Sequence, residues 1–304
     1  MNASEFIWMD GKLVKWDEAN VHILTHSLHY GNAVFEGTRA YMTDKGLAIF
    51  RLDEHTKRLF KSAKMTVLDI KFSQKELEDA QVELLRANKF KGNVYIRPLV
   101  YLGYGIMGLA HTKAPVNTAI AAWEWGAYLG EEGLKKGIKV KISSFTKLNI
   151  AGQMSRAKAS SNYLSSQMAN YEAKDAGYDE ALLLDSEGYI SEGPGECFFI
   201  VENGVLITPP NDNSLASITQ DTVLMIAKDL GIEIRRERIT RDRAYTADEA
   251  FFTGTAAEVT PISNIDNRVI GSGERGEVTK RLQDAYFDVV YGRNEKYSSF
   301  LTYI

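Results

Sequence analysis

Two segments decide how this chain reads: Ser155-Arg156-Ala157-Lys158-Ala159-Ser160-Ser161-Asn162-Tyr163, and Ser191-Glu192-Gly193-Pro194-Gly195-Glu196, which lies between two apolar stretches with the pattern of strands. A lysine amine condenses with an aldehyde cofactor to form an imine. A carboxylate at the far end of the cofactor's ring can hold a pyridinium nitrogen protonated, which makes the ring an electron sink. Lys158 and Glu192 together therefore point to pyridoxal phosphate chemistry. Tyr163 adds to this, because a phenol at the ring oxygen would tune the imine's affinity for a proton. The same tyrosine has a structural alternative. Leu164, Met168 and Tyr171 form an apolar stripe at helical spacing, and an aromatic beside such a stripe can be ordinary core.

A phosphate needs backbone donors. Leu215-Ala216-Ser217-Ile218-Thr219-Gln220-Asp221 places small and hydroxyl residues at a helix start, where free amides and the dipole favour anions. Thr253-Gly254-Thr255-Ala256-Ala257 offers a second turn of this kind, and Arg58 is a candidate cationic partner. Each turn taken singly could equally be a loop closed by a capping threonine. Arg97 interrupts the apolar run Tyr95-Ile96-Arg97-Pro98-Leu99, so it either pairs with a buried carboxylate or waits for a substrate carboxylate. Phe35, Tyr30, Trp125 and Tyr128 could line an apolar pocket or simply fill the core.

Two other patterns carry little. Gly271-Ser272-Gly273-Glu274-Arg275-Gly276 matches a dinucleotide fingerprint literally, but leaves no room for a following strand and ribose-binding acid. His22, His26 and His29 have no nearby acid or cysteine to complete a ligand set, and no metal site is expected.

The 304 residues, 44% apolar and 25% charged, are enough for one large or two medium domains. The net charge of −4, with both signs dispersed, argues against a nucleic-acid or membrane partner and leaves small molecules and proteins. Cys197 is the one cysteine, which excludes an internal disulfide and favours a reducing compartment. The acidic start of the chain and the lack of a long apolar run lead us to expect a soluble, cytoplasmic protein.

Periodicity and turn residues give a hairpin of Phe6 to Met9 with Lys12 to Val14, then a strand at Ala48 to Arg51 leading into Asp53 as N-cap of a helix from Glu54 to Met65. A helix at Gln74 to Asn88 and strands at Val94 to Tyr101 and Thr118 to Trp123 complete a first domain, 1–124. The segment 125–136, with Trp125-Gly126-Ala127-Tyr128-Leu129-Gly130, reads as a connector. In 137–304 the pattern gives a strand at Ile138 to Ser143 and a helix after Lys158 that ends at Gly177. A strand at Ala181 to Asp185 and a hairpin turned at Glu202-Asn203-Gly204 follow. A helix at Thr219 to Leu230, strands at Glu233 to Ile239 and Glu249 to Phe252, and a closing helix at Val278 to Val290 complete the chain. Strands and helices do not alternate regularly, so the class is α+β in two domains.

Beyond these readings the chain resembles the class IV, or fold-type IV, pyridoxal phosphate aminotransferases, and among them the bacterial branched-chain amino acid aminotransferases. The resemblance covers nearly the whole chain. It rests on His29-Tyr30-Gly31-Asn32-Ala33-Val34-Phe35-Glu36-Gly37-Thr38-Arg39, Tyr95-Ile96-Arg97-Pro98, the connector motif, Ala157-Lys158-Ala159 with Asn162-Tyr163, Ile190-Ser191-Glu192-Gly193, and Gly254-Thr255-Ala256-Ala257-Glu258. It implies a smaller N-terminal α/β domain and a larger C-terminal pseudo-barrel domain that binds pyridoxal 5'-phosphate.

The implied activity is reversible, ping-pong transamination of L-leucine, L-isoleucine and L-valine with 2-oxoglutarate, the last step of branched-chain amino acid biosynthesis. D-amino acid aminotransferase and aminodeoxychorismate lyase are the alternatives on this fold. Lys158 would be the catalytic residue, and Arg58, Tyr163, Glu192, Leu215, Ile218, Thr219 and Thr255 would join it in holding the cofactor. Substrate would meet Tyr30, Phe35, Gly37, Tyr95, Arg97, Leu109, Trp125, Tyr128, Thr255 and Ala256, with Arg97 reading the glutamate side chain and Tyr30 and Leu109 coming from a neighbouring copy. A homodimer or larger assembly, hexamers among them, is implied. Pro194, Cys197, Gln220 and the Leu215-Ala216-Ser217-Ile218-Thr219 sequence depart from the usual pattern.

Overall fold

The computed structural model describes residues 3–110, 113–126 and 128–304, and these form two compact units. The first comprises Met1–Gly126, Ala157–Ser161 and Val290–Ile304; the second comprises Ala127–Arg156 and Asn162–Val289. Where the sequence suggested one cut through 125–136, the units interleave. The last strand, Leu301–Tyr303, hydrogen bonds to Gly46–Phe50, and Ala159 bridges to Val34, so both segments join the N-terminal unit.

The first unit is built on an eight-stranded sheet in the order Leu301–Tyr303, Gly46–Phe50, Thr38–Thr43, Val94–Leu102, Val116–Glu124, Phe6–Met9, Lys12–Lys15, with Ala33–Phe35 also paired to Val94–Leu102. Helices Leu52–Met65 and Gln74–Asn88 bury Leu59, Ala63, Leu77, Leu84 and Leu85 in one cluster with Val94, Ile96, Val100 and Ile120. Ser73 closes a capping box with Glu76 at the start of the second helix. Asp53 is not the N-cap of the first. That helix begins at Leu52 behind a left-handed Arg51, and Asp53 lies in its first turn, where a carboxylate favours the dipole and accepts from Lys57 at 2.6 Å.

The second unit carries a nine-stranded sheet. Ile190–Glu192 pairs with both Glu180–Leu184 and Cys197–Glu202, so six strands close into a ring: Ile190–Glu192, Glu180–Leu184, Ile138–Thr146, Glu258–Ile265, Glu249–Gly254, Cys197–Glu202. Closure removes the free edges of those strands and encloses a core of Ile142, Leu182, Phe198, Ile200, Phe252 and Ile262. This is the barrel-like domain the resemblance implied. Glu258–Ile265 was not legible as a strand because Pro261 lies inside it; proline removes a ladder donor and is unusual away from an edge.

The apolar stripe Leu164, Met168, Tyr171 is exposed, against the core role that its spacing suggested. Helix Tyr163–Asp175 turns its small face inward instead, packing Ala169 and Ala173 on Ala181 and Leu183; small side chains let the helix approach the strands closely.

Candidate active site

In the first unit Lys158 is held through its backbone at two points. Its N–H donates to the buried Ser62 hydroxyl at 3.0 Å, and its carbonyl accepts from the Phe35 N–H at 3.0 Å. Its amine stands 5.0 Å from the centre of the Phe35 ring. Burial first, and then the charge of Arg58, push the amine below the usual lysine range, with Glu36 pulling the other way. Favouring the neutral amine in this way is what a lysine nucleophile requires.

Arg58, one helical turn before Ser62, donates from Nε to Glu36 Oε1 at 2.6 Å and from Nη2 to Oε2 at 2.8 Å. His55 Nδ1 lies 2.8 Å from the same Oε2. Burial would raise the Glu36 carboxyl, but the charge of Arg58 and the hydrogen bonds from Arg58 and His55 outweigh it and hold the group well below the usual carboxylate range. Burial lowers His55, so it is neutral near pH 7; a carboxylate only accepts, so Nδ1 carries the proton.

Arg97 also packs on Phe35, its guanidinium carbon 4.5 Å from the ring centre, and donates from Nη2 to the Tyr95 hydroxyl at 3.1 Å. Its buried Nε has no hydrogen-bond partner among the described residues. Trp125 meets Tyr95 edge-on at 4.9 Å. A Cβ on Gly37 would fall 1.9 Å from the Tyr95 hydroxyl, so glycine is what lets Tyr95 occupy this place. Arg39 donates to the carbonyls of Trp125 and Gly126 at 3.2 and 3.0 Å and fixes where the connector begins. Tyr30 is exposed, and Leu109 is 84% exposed.

In the second unit Glu192 pairs with Lys147, and both side chains are mostly buried. Burial opposes the charge on Lys147, but Glu192, and behind it Tyr163 and Cys197, raise its affinity for a proton. The lysine therefore ties two of the expected cofactor residues to one charge. Cys197 lies directly across the hairpin from Glu192. Ser217 caps helix Ile218–Asp229 by accepting from the Gln220 N–H, leaving Ile218 and Thr219 in the first turn. The Gln220 side chain points into the core and donates to Thr208 Oγ1 at 3.1 Å. Thr255 and Ala256 form the turn between Glu249–Gly254 and Glu258–Ile265, half-buried. Leu215 is half-buried before the helix, and Tyr128 is exposed.

Residues 33–265 match the family model for amino-transferase class IV. The chain belongs to this family. The branched-chain-amino-acid aminotransferase of Pseudomonas aeruginosa is 50% identical over 98% of this chain and 97% of its own, and that of Escherichia coli K12 is 43% identical over 96% and 95%. Among solved structures, a branched-chain amino acid aminotransferase from T.th. with pyridoxamine 5'-phosphate superposes with a TM-score of 0.97 at 48% identity, covering 100% of this chain and 99% of that one. The Escherichia coli structure gives 0.95 at 43% identity, covering 98% of each. These relatives set the chain among the branched-chain-amino-acid aminotransferases, and the protein is a transaminase.

The side chains of this aminotransferase suit a phosphorylated pyridine aldehyde. The first unit offers a buried amine biased toward its neutral form and an arginine gripped along one edge; the second, by itself, offers a carboxylate with a resident cation and a capped helix start with small residues. Three participants were not assigned from sequence. Glu36 lay inside a quoted motif without a role. His55 falls on the apolar face of its helix with Leu52 and Leu59, which could have marked it as a buried partner of Arg58 three residues on. Nothing in the local pattern singles out Lys147.

Proposed function

We propose that this aminotransferase moves the amino group of L-leucine, L-isoleucine and L-valine to 2-oxoglutarate, reversibly and by a ping-pong route, in the last step of branched-chain amino acid biosynthesis. The observation that carries the reading is the Phe35 ring, with the Lys158 amine at 5.0 Å and the Arg97 guanidinium at 4.5 Å from its centre. A pocket that takes both an aliphatic side chain and a glutamate side chain needs an apolar wall and one reachable cation at its edge. Phe35, Tyr95 and Trp125 supply the wall, and the Nε of Arg97, unpartnered among the described residues, is suited to a carboxylate. Relatives solved with 4-methylvaleric acid and with N-(5'-phosphopyridoxyl)-L-glutamate support both halves of this specificity.

Pyridoxal 5'-phosphate, when bound, supplies an electron-withdrawing ring that stabilises negative charge at the substrate's α-carbon. Lys158 Nζ would hold it covalently and, once displaced by the substrate's amine, would be free to carry the α-carbon proton. The Glu192 carboxylate would accept the ring N–H, and Tyr163 would donate to the ring oxygen. Arg58, Thr219, Thr255 and the Ile218 amide would hold the phosphate, with Leu215 beside them. The Thr255 and Ala256 amides and Tyr95 receive the substrate's α-carboxylate, and Gly37 keeps that approach open. Tyr30 and Tyr128 assist Arg97. Tyr30 and Leu109, exposed on the single chain, complete the pocket of a neighbouring copy in a homodimer or larger assembly, and the cytoplasm is the compartment.

Absorbance of the purified protein tests this directly. The cofactor band should be lost with L-leucine, persist with D-leucine, and return with 2-oxoglutarate. A band that responds only to the D-enantiomer, or pyruvate released from aminodeoxychorismate, would transfer the assignment to one of the sister activities.

A further inference from the structure

Glu36 is fully buried, and both of its oxygens are committed: Oε1 to Arg58 Nε, Oε2 to Arg58 Nη2, His55 Nδ1 and, at 3.2 Å, the Gly37 N–H. Net stability is a poor explanation for such a cluster. A buried ion pair is often no more stable than apolar groups of the same volume, because desolvation cancels much of the attraction. Its geometry is more telling. A guanidinium can grip an oxyanion along the Nε–Nη2 edge or along the Nη1–Nη2 edge. Glu36 holds the first, which fixes the plane and direction of the guanidinium.

The same two elements index Lys158. Phe35, the neighbour of Glu36, holds the Lys158 carbonyl, while Ser62, on the helix that carries Arg58 and His55, holds its N–H. Resting on the reading of Arg58 as a phosphate ligand, we propose that Glu36, locked by His55, is the positioning residue of the phosphate site. It fixes the plane and direction of the Arg58 guanidinium in which a phosphate would meet it, in fixed register with the Lys158 amine. Fixing a donor before the ligand arrives removes an ordering cost from binding.

The experiment strips the full-length protein of cofactor and measures its affinity for pyridoxal 5'-phosphate, for pyridoxal without the phosphate, and for inorganic phosphate. Losing one oriented, charge-assisted hydrogen bond should weaken pyridoxal 5'-phosphate and inorganic phosphate about tenfold in Glu36→Ala, with pyridoxal unchanged within about twofold. Glu36→Gln, which keeps an acceptor oxygen, should fall between. His55→Phe should show the same phosphate-selective loss to a smaller degree, and it carries the test if Glu36→Ala does not fold.

Neutralisation alone predicts the opposite, since an arginine freed of its carboxylate should attract phosphate more strongly. Tighter or unchanged phosphate binding in the variants would therefore overturn the proposal, and so would a parallel loss for all three ligands. If the unmodified protein already fails to prefer pyridoxal 5'-phosphate over pyridoxal, the assignment of Arg58 falls and takes the inference with it. If that preference exists but the variants keep it, the inference alone falls.

Discussion

Arg97 and Tyr95 lie two residues apart on one strand, side chains on the same face, and Arg97 Nη2 donates to the Tyr95 hydroxyl at 3.1 Å. The tyrosine holds the cation beside Phe35 and leaves the arginine's Nε without a partner among the described residues. Arg97→Met keeps the wall and removes the cation. We expect the 2-oxoglutarate half-reaction to lose about 10- to 100-fold in kcat/KM, the scale of one charge-assisted contact, while the leucine half-reaction changes little. Stopped-flow measurement of the two half-reactions separately checks this, and equal losses in both would contradict it.

Lys158 titrates below the usual lysine range in the folded protein, because of burial and then Arg58. Between that lowered value and about 10.4 the unfolded chain therefore binds more protons than the folded one. Stability of the cofactor-free protein should rise with pH through that window and be reduced below it. Lys158→Met removes the effect. The variant should melt a few degrees higher than the cofactor-free parent at neutral pH, with the gap closing toward about pH 10, and it should lose transamination by at least about 10³-fold. Melting curves across pH decide the first point; a gap that is constant or widens with pH would contradict it.

Lys147 and Glu192 are largely removed from water as a pair. Lys147→Met leaves a carboxylate with no cation, which should cost about 3 kcal/mol in the cofactor-free protein. The loss should shrink when pyridoxal 5'-phosphate is bound, since a pyridinium would replace the missing partner. Chemical denaturation with and without cofactor measures this difference.

Gly37 has no side chain where a methyl group would meet the Tyr95 hydroxyl at 1.9 Å. Gly37→Ala must displace that hydroxyl and, through it, Arg97. Overpacking of this kind costs about 1–3 kcal/mol. The variant should also weaken glutamate more than leucine, read as a larger rise in KM for glutamate. An unchanged KM ratio would separate Gly37 from substrate choice.

Much of the fold was legible from local pattern. The Phe6–Met9 hairpin, the helix at Gln74–Asn88 and the turn at Asn203-Gly204 follow from caps, periodicity and turn residues, which act over a few positions. Glu258–Ile265 was hidden because Pro261 argues against a central strand, and only its neighbours in the ring hold it there. The stripe Leu164, Met168, Tyr171 announced a helix correctly but named the wrong face, since spacing fixes which residues share a side and not which side is covered.

What the amino-acid sequence determined by itself was the chemical inventory and its local settings: a lysine in a small-residue run, a carboxylate in a glycine-rich hairpin, a serine-capped helix start, and an arginine inside an apolar strand. Only the tertiary structure decided how those groups are charged and aimed. Glu36 meets Arg58 across 22 positions of chain, and Lys147 meets Glu192 across the closed sheet. Burial and nearby charge set ionisation, and both depend on which distant segments the fold brings within a few ångströms, information that no local window of sequence contains.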